Sequence, residues 1–296
     1  MPTMRPMKVP ARATRREIIK GIAACSLAGL PAVPALAAPA WRTLPPTPKL
    51  PAATQSDLVR VNGTEIYFAQ FGQGPPVLLL HGGLGNSEYW GHQVRHLAER
   101  FEVTVMDTRG HGRSPLASGP FSYKLLADDT AALLEHLRIP AASIVGWSDG
   151  AVTGLHLAIT RPARVTRLFA VAGNATLAGM KAGGGKEPAF VEYFERCRTE
   201  YRELSPQPEK WPELLSGLRA MWRSEPNFTD RDLAGIRRPT TIALGEHDEV
   251  IRRDHTEQLA RSVPGARKAI LPGVSHFAML QNPAQFNAAL SEFLSG

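Results

Sequence analysis

Ser148 stands in Gly146-Trp147-Ser148-Asp149-Gly150, with a short apolar run at 143–145 before it and a helical pattern from Ala151 after it. A Gly-x-Ser-x-Gly pattern gains its meaning from that strand–turn–helix context, because the turn is so tight that its neighbours must be very small. Such a turn presents the serine hydroxyl at the carboxyl end of a strand, and the helix that follows aims its N–H groups and positive dipole end back at it. A helix N-cap would account for a serine here, but not for two flanking glycines. A serine hydroxyl is a poor nucleophile near neutral pH; it needs a base within hydrogen-bond reach and an acid that orients the base. His276, in Pro272-Gly273-Val274-Ser275-His276, follows the last strand-like run and is the candidate base. Asp248, in Leu244-Gly245-Glu246-His247-Asp248, follows the run 240–244 and is the candidate acid, with Glu246 and Asp254 as rivals. Attack on a carbonyl also needs two backbone N–H groups for the developing oxyanion. Asp149 supplies one, directly after the serine, and the His81-Gly82-Gly83-Leu84 loop is the source of the other.

These residues must be held by a particular order of elements. Strand-like runs at 58–61 and 66–71 flank Asn62-Gly63, a strong hairpin-turn signal. From there strands and helices alternate. Strands are expected at 77–80, 101–106, 143–146, 168–172, 240–244 and 268–271; helices at 87–100, 123–137, 151–160, 254–262 and 283–294. Repeated β-α units imply an α/β fold, a mostly parallel sheet with helices on both faces. The stretch from about 175 to 236 differs: it holds Gly183-Gly184-Gly185 and the aromatics Phe190, Tyr193, Phe194, Tyr201, Trp211, Trp222 and Phe228. It reads as a lid insertion, most of whose aromatics pack its own small core while a minority line a pocket.

With these motifs on the page, the chain resembles the α/β-hydrolase superfamily over roughly residues 57–296. The resemblance is carried by His81-Gly82-Gly83, Asp107-Thr108-Arg109-Gly110-His111-Gly112-Arg113-Ser114, the serine turn, and the Asp248 and His276 loops, in the order Ser148…Asp248…His276 that this fold uses. Gly-Trp-Ser-Asp-Gly followed by Ala172-Gly173-Asn174 is similar to the valacyclovir-hydrolase (biphenyl-hydrolase-like) branch. The resemblance implies a Ser148–Asp248–His276 triad and an oxyanion hole of the Gly83 and Asp149 N–H groups, with Leu84 as the alternative to Gly83. It also implies that the Asp149 side chain binds a substrate amino group, as against capping the helix it begins. The activity implied is serine hydrolysis of small carboxylic esters through an acyl-serine, with no cofactor. Lactonase, amidase or aminopeptidase and C–C bond hydrolase are rivals on the same fold, and a non-catalytic ligand receptor is a rival of another class.

The remaining histidines divide by context. His81 is expected to brace the oxyanion loop and His111 to be structural; His247 should point away from the acid's side of the strand. His92, His96, His136, His156 and His255 fall on helical runs. No His-x-His or His-Glu-x-x-His spacing suggests a metal hydrolase.

The net charge of +7 on 296 residues is concentrated in the leader, where Arg5, Lys8, Arg12, Arg15, Arg16 and Lys20 face Glu17 alone. The rest of the chain is close to neutral, which argues against nucleic-acid binding. Thr14-Arg15-Arg16-Glu17-Ile18-Ile19-Lys20, an Ala-rich apolar stretch and Ala35-Leu36-Ala37 make up the three parts of an export signal. The paired arginines resemble a twin-arginine (Tat) signal, which implies a folded cargo, the Tat machinery as partner, and a periplasmic or secreted protein. Cleavage after Ala37 would remove Cys25, whose Ile22-Ala23-Ala24-Cys25 setting resembles a lipobox too close to Lys20 for a normal apolar region. Cys197 would then be the one thiol left, a buried packing residue. No apolar run is long enough to cross a bilayer cleanly. Residues 38–56, with Pro39, Pro45, Pro46, Pro48 and Pro51, read as an extended Pro-rich linker, so that the fold starts near Asp57.

Overall fold

The computed structural model describes Thr3 and residues 38–296. The expected leader, residues 1–37, lies outside the described residues except for Thr3. The chain opens with an antiparallel hairpin of Gln55–Val61 (β1) and Thr64–Phe71 (β2). Asn62 and Gly63 at its tip have φ of 44° and 76°. Two successive positive φ values match the twist of the flanking strands, and Asn-Gly adopts them at least cost.

Six further strands run parallel: Pro76–Leu80 (β3), Glu102–Met106 (β4), Ala142–Trp147 (β5), Val165–Val171 (β6), Thr240–Gly245 (β7) and Arg267–Leu271 (β8). The eight-stranded order is β1-β2-β4-β3-β5-β6-β7-β8. Successive side chains of a strand face opposite ways, and here both ways lead into apolar core. Val77 and Leu79 enter one cluster and Leu78 and Leu80 the other. The helices Gly91–Leu97 (α1) and Pro283–Ser295 (α8) cover the first face through Val94, Phe286 and Leu290. Tyr123–His136 (α2), Asp149–Thr160 (α3) and Arg253–Ser262 (α7) cover the second through Leu133, Leu155 and Leu259. From β3 the chain goes first to β4 on one side and later to β5 on the other. This reversal opens a crevice beyond the carboxyl ends of β3 and β5, where α/β sheets hold ligands.

Local departures from the expected elements have local causes. The helix anticipated over 87–100 is a 3-10 turn, Ser87–Trp90, followed by the short α1. The Asn86 side chain accepts the Glu88 N–H and starts the turn early. Gly91 then lets residues 48–49 lie against the helix, since a Cβ there would meet the Lys49 carbonyl at 2.8 Å. The insertion consists mainly of Pro188–Leu204 (α4), Trp211–Trp222 (α5) and Asp230–Ala234 (α6).

Residues 38–54 are extended apart from a 3-10 turn at Ala40–Arg42, yet they are not a free linker. They form a strap across the insertion and the sheet domain, with Leu44 only 5% exposed. Arg196 on α4 donates to the Leu44 carbonyl at 2.8 Å and to that of Pro45, and the Thr47 hydroxyl donates to the Glu200 carboxylate. Gln281 donates to the Thr43 carbonyl at 2.8 Å, Arg95 to the Lys49 carbonyl at 3.0 Å, and Glu88 accepts the Leu50 N–H at 2.7 Å. Prolines remove N–H donors and leave carbonyls, and donor side chains from the folded body take them up. A chain beginning at residue 55 is therefore expected to melt roughly 5–10 °C below one beginning at residue 38, by differential scanning calorimetry. Equal melting temperatures would mean that the strap is stabilised by the body and gives nothing back.

Candidate active site

Ser148 joins β5 to α3 with φ 53° and ψ −118°. A non-glycine residue held there stores on the order of 1–3 kcal/mol of strain. The sequence permits it because both neighbours are bare: a Cβ on Gly146 would lie 2.2 Å from the Gly150 carbonyl, and one on Gly150 would lie 2.1 Å from that of Leu80. The Ser148 N–H is tied to the Val171 carbonyl at 2.9 Å, which fixes the turn to β6. Among the described residues the Ser148 hydroxyl has no hydrogen-bond partner; it opens into a cavity that His276 also lines.

His276 and Asp248 meet at 2.9 Å, Nδ1 to Oδ2, and are 2% and 1% exposed. The other Asp248 oxygen accepts the Val250 and Ile251 N–H groups at 2.8 and 2.7 Å, so the carboxylate is fixed from both sides. Lys181 on the insertion donates to the Asp248 carbonyl at 2.6 Å. The ring is gripped on its backbone side as well: Glu249 accepts the His276 N–H at 3.0 Å, and the Trp147 indole N–H donates to the His276 carbonyl at 2.8 Å. Burial disfavours imidazolium, but the charge and hydrogen bond of Asp248, with Glu249 and Asp149 further off, outweigh it and raise the His276 pKa. The rival acids are elsewhere. Glu246 accepts the Gly273 N–H and Asp254 pairs with Arg252 on the surface. His247 turns away to stack on Trp41 of the strap, ring centroids 4.5 Å apart.

The loop after β3 is fixed peptide by peptide. The Gly82 carbonyl accepts from His81 Nδ1 at 2.7 Å and from the Gly85 N–H at 3.1 Å. The Gly83 carbonyl accepts the Tyr193 hydroxyl at 2.7 Å. In a trans peptide N–H and C=O point opposite ways, so these bonds set the directions of the Gly83 and Leu84 N–H groups. His81 is a neutral brace: Nδ1 must donate to a carbonyl, while Nε2 accepts the Thr108 N–H at 3.0 Å, and burial lowers its pKa. His111 lies beside it, bonded to the Arg109 carbonyl, its pKa pushed down to about 3 by burial and by His81. The Asp149 N–H opens α3 and has no partner within the helix.

The Asp149 carboxylate does not cap its own helix. One oxygen accepts the Tyr123 hydroxyl at 2.7 Å and the other the Trp222 indole N–H at 2.8 Å. It thus links the serine turn to α2 and to the insertion, and a Cβ on Gly83 would touch it at 2.4 Å. Burial raises its pKa against the lowering effect of those two bonds and of His276. Around these groups lies a cavity of about 430 Å³. Phe190, Tyr193, Phe194 and Trp222 line it, so four of the insertion's seven aromatics do, rather than a minority. The reason is thickness: α4 and α5 rest directly on the sheet's carboxyl edge, and Tyr193, Tyr201 and Trp211 join the sheet's own core instead of a separate one. Cys197 is fully buried against the Tyr89 hydroxyl, and burial raises its thiol pKa, as suits packing. Sequence reasoning did not single out Trp147, Glu249, Tyr123 or Tyr193 as site residues. Only Trp147 and Glu249, adjacent to Ser148 and Asp248, carried a positional signal.

A sequence profile described as Alpha/beta hydrolase family matches residues 77–289, and the chain belongs to that family. It is 28% identical over 251 residues to "Serine hydrolase BPHL" of Homo sapiens, covering 80% of this chain and 85% of that one. It is 30% identical over 258 residues to the "Pimeloyl-[acyl-carrier protein] methyl ester esterase" of Aeromonas hydrophila, covering 76% and 97%. Among solved structures, "Est816 as an N-Acyl homoserine lactone degrading enzyme" superposes with a TM-score of 0.63 at 28% identity, covering 80% of this chain and all of that one. The fold is the α/β-hydrolase fold, and the chain is a hydrolase of that family.

The His276 imidazole is expected to titrate above the ordinary value of 6.5, and below it in Asp248→Asn, where burial acts unopposed by that carboxylate. Histidine NMR titration reads both midpoints. Equal midpoints in the two proteins would show that Asp248 does not set the charge of the ring.

Proposed function

We propose that this chain is an exported serine hydrolase that cleaves carboxylic esters of small substrates through an acyl-Ser148 intermediate. The observation that carries the reading is the convergence on one cavity of a strained, unpartnered Ser148 hydroxyl and a His276 ring oriented by its bond to Asp248. In the forward step His276 Nε2 takes the Ser148 proton as Oγ bonds to the ester carbonyl carbon. The negative oxygen is held by the Asp149 N–H and an N–H of the Gly83 loop. The C–O bond to the alcohol then breaks, and His276 returns the proton to the departing oxygen. Water attacks the acyl-serine with His276 as base again, releasing the acid and free Ser148. Asp248 keeps the proton-bearing Nδ1 turned inward throughout.

Asp149 is the substrate-binding residue in this reading. Its carboxylate faces the cavity beside the nucleophile, is partly desolvated, and has lone pairs left after Tyr123 and Trp222 for a substrate ammonium. Export rests on the Thr14–Lys20 pattern and Ala35-Leu36-Ala37, with the Tat machinery as partner and the periplasm or medium as destination.

With p-nitrophenyl butyrate as substrate, Ser148→Ala is expected to lower kcat by roughly 10⁴-fold or more. A fluorophosphonate should label the wild type at Ser148 alone. Turnover that survives in the variant removes Ser148 from the mechanism. kcat/KM should fall as pH drops through the His276 pKa, with a midpoint above 6.5, because only neutral imidazole can accept the proton. For export, replacing Arg15 and Arg16 together by Lys preserves charge and should leave the protein in the cytoplasm on cell fractionation. Continued export would make the leader a general secretory signal.

A further inference from the structure

On α5 one helical stripe, Leu214, Leu218 and Met221, is buried in the core. The adjacent stripe, Leu215, Arg219 and Trp222, spaced by four and three residues, lines the cavity. An inward stripe flanked by leucine and tryptophan calls for an apolar residue at its centre, and an arginine there breaks the local pattern. Such departures concentrate at functional positions. Arg219 is the one arginine or lysine that lines the cavity among the described residues, and it differs from the paired arginines elsewhere in the domain. Arg109 is paired with Asp129, Arg113 with Asp107 and Glu88, and Arg196 with the strap. Arg219 has no ion pair or side-chain hydrogen bond among the described residues. Glu225, the carboxylate nearest it in sequence that lines the cavity, instead accepts the Tyr123 N–H at 2.9 Å.

Position fixes what such a group can read. Trp222, one turn further along α5, touches the carboxylate of Asp149, which directly follows the nucleophile. One turn is about 5 Å of helix axis, and Arg219 is exposed where Trp222 and Ser148 are half-buried, which puts Arg219 on the solvent side of the cavity and Ser148 on its inner side. An exposed guanidinium on an apolar wall presents paired N–H donors that match a carboxylate bidentately.

We infer that Arg219 is a specificity-determining residue, a subsite for a carboxylate carried by the substrate several bonds from its scissile carbonyl. The inference rests on the ester-hydrolase reading above and narrows its substrates to esters with a free acid of about glutarate length. Asp149 and Arg219 then give the cavity opposite charges at its two ends, and the anionic group is directed outward.

The test compares p-nitrophenyl butyrate with mono-p-nitrophenyl glutarate, which adds a terminal carboxylate. In Arg219→Gln, kcat/KM for the glutarate ester is expected to fall about five- to tenfold, mainly through KM, with butyrate changed less than about twofold. Arg219→Lys should recover part of the loss, and added salt should shrink the wild-type preference. Titration calorimetry of glutarate into Ser148→Ala, with and without Arg219→Gln, reads the subsite without turnover. Loss of glutarate binding on the Arg219 change supports the subsite even if neither ester is cleaved, in which case the hydrolase reading fails alone. Butyrate cleavage with an unchanged ester ratio and unchanged glutarate binding in Arg219→Gln overturns the subsite and leaves the hydrolase reading standing. Equal losses on both esters assign Arg219 a structural role and also overturn it.

Discussion

Ser148 can hold its left-handed backbone only where three carbonyl oxygens lie closer to its glycine neighbours than any side chain would allow. Gly150 sits against the Leu80 and His81 carbonyls, and Gly146 against Gly150 itself. This contact brings the start of α3 against the ends of β3 and β5, where the sheet order reverses. The loop 81–84 leaves β3 at that point, so the distance between Ser148 and Gly82 is set by the same approach. A Cβ on Gly82 would reach the Ser148 Cβ at 3.2 Å. The strain at Ser148 is small beside the apolar burial of the strands on either side, each fully buried aliphatic side chain contributing about 1.5–3 kcal/mol. The sheet can therefore impose a conformation that an isolated turn would abandon.

The His276–Asp248 pair depends on that frame in a different way. Removing two ionisable groups from water is costly unless each finds its partners. Asp248 finds two N–H groups and an imidazole, and His276 is fixed through its own N–H and carbonyl by Glu249 and Trp147. Trp147 precedes Ser148, so one residue of the serine turn also positions the base. The loop 81–84 has a similar double anchoring, by His81 and by Tyr193 from the insertion.

The sheet was legible because β3 is a continuous apolar run, because β5 and β7 carry short apolar stretches bounded by turn residues, and because Asn62-Gly63 admits few turns. Ser148, Asp248 and His276 were legible because each follows a strand within a few residues, so chain order alone limits where they can lie. Tyr123, Tyr193, Trp222 and Arg219 were not picked out. They come from helices whose aim depends on tertiary packing, and periodicity does not say which face meets a cavity and which meets the core. The strap was misjudged for a related reason. Proline content predicts an extended backbone, correctly, but the carbonyls it leaves exposed find donors on Arg196 and Gln281, which are far along the chain.

Those separations bear on the order of assembly. Thr47 bonds a residue 153 positions later, and Thr43 one 238 positions later, close to the carboxyl end. Residues 38–54 leave the ribosome early, yet their partners on α4 arrive after most of the sheet, and Gln281 arrives almost last. The segment bordering the expected leader is thus completed only when the whole domain has been synthesised and folded. Seating of the strap marks the end of folding at the part of the sequence that follows the expected leader.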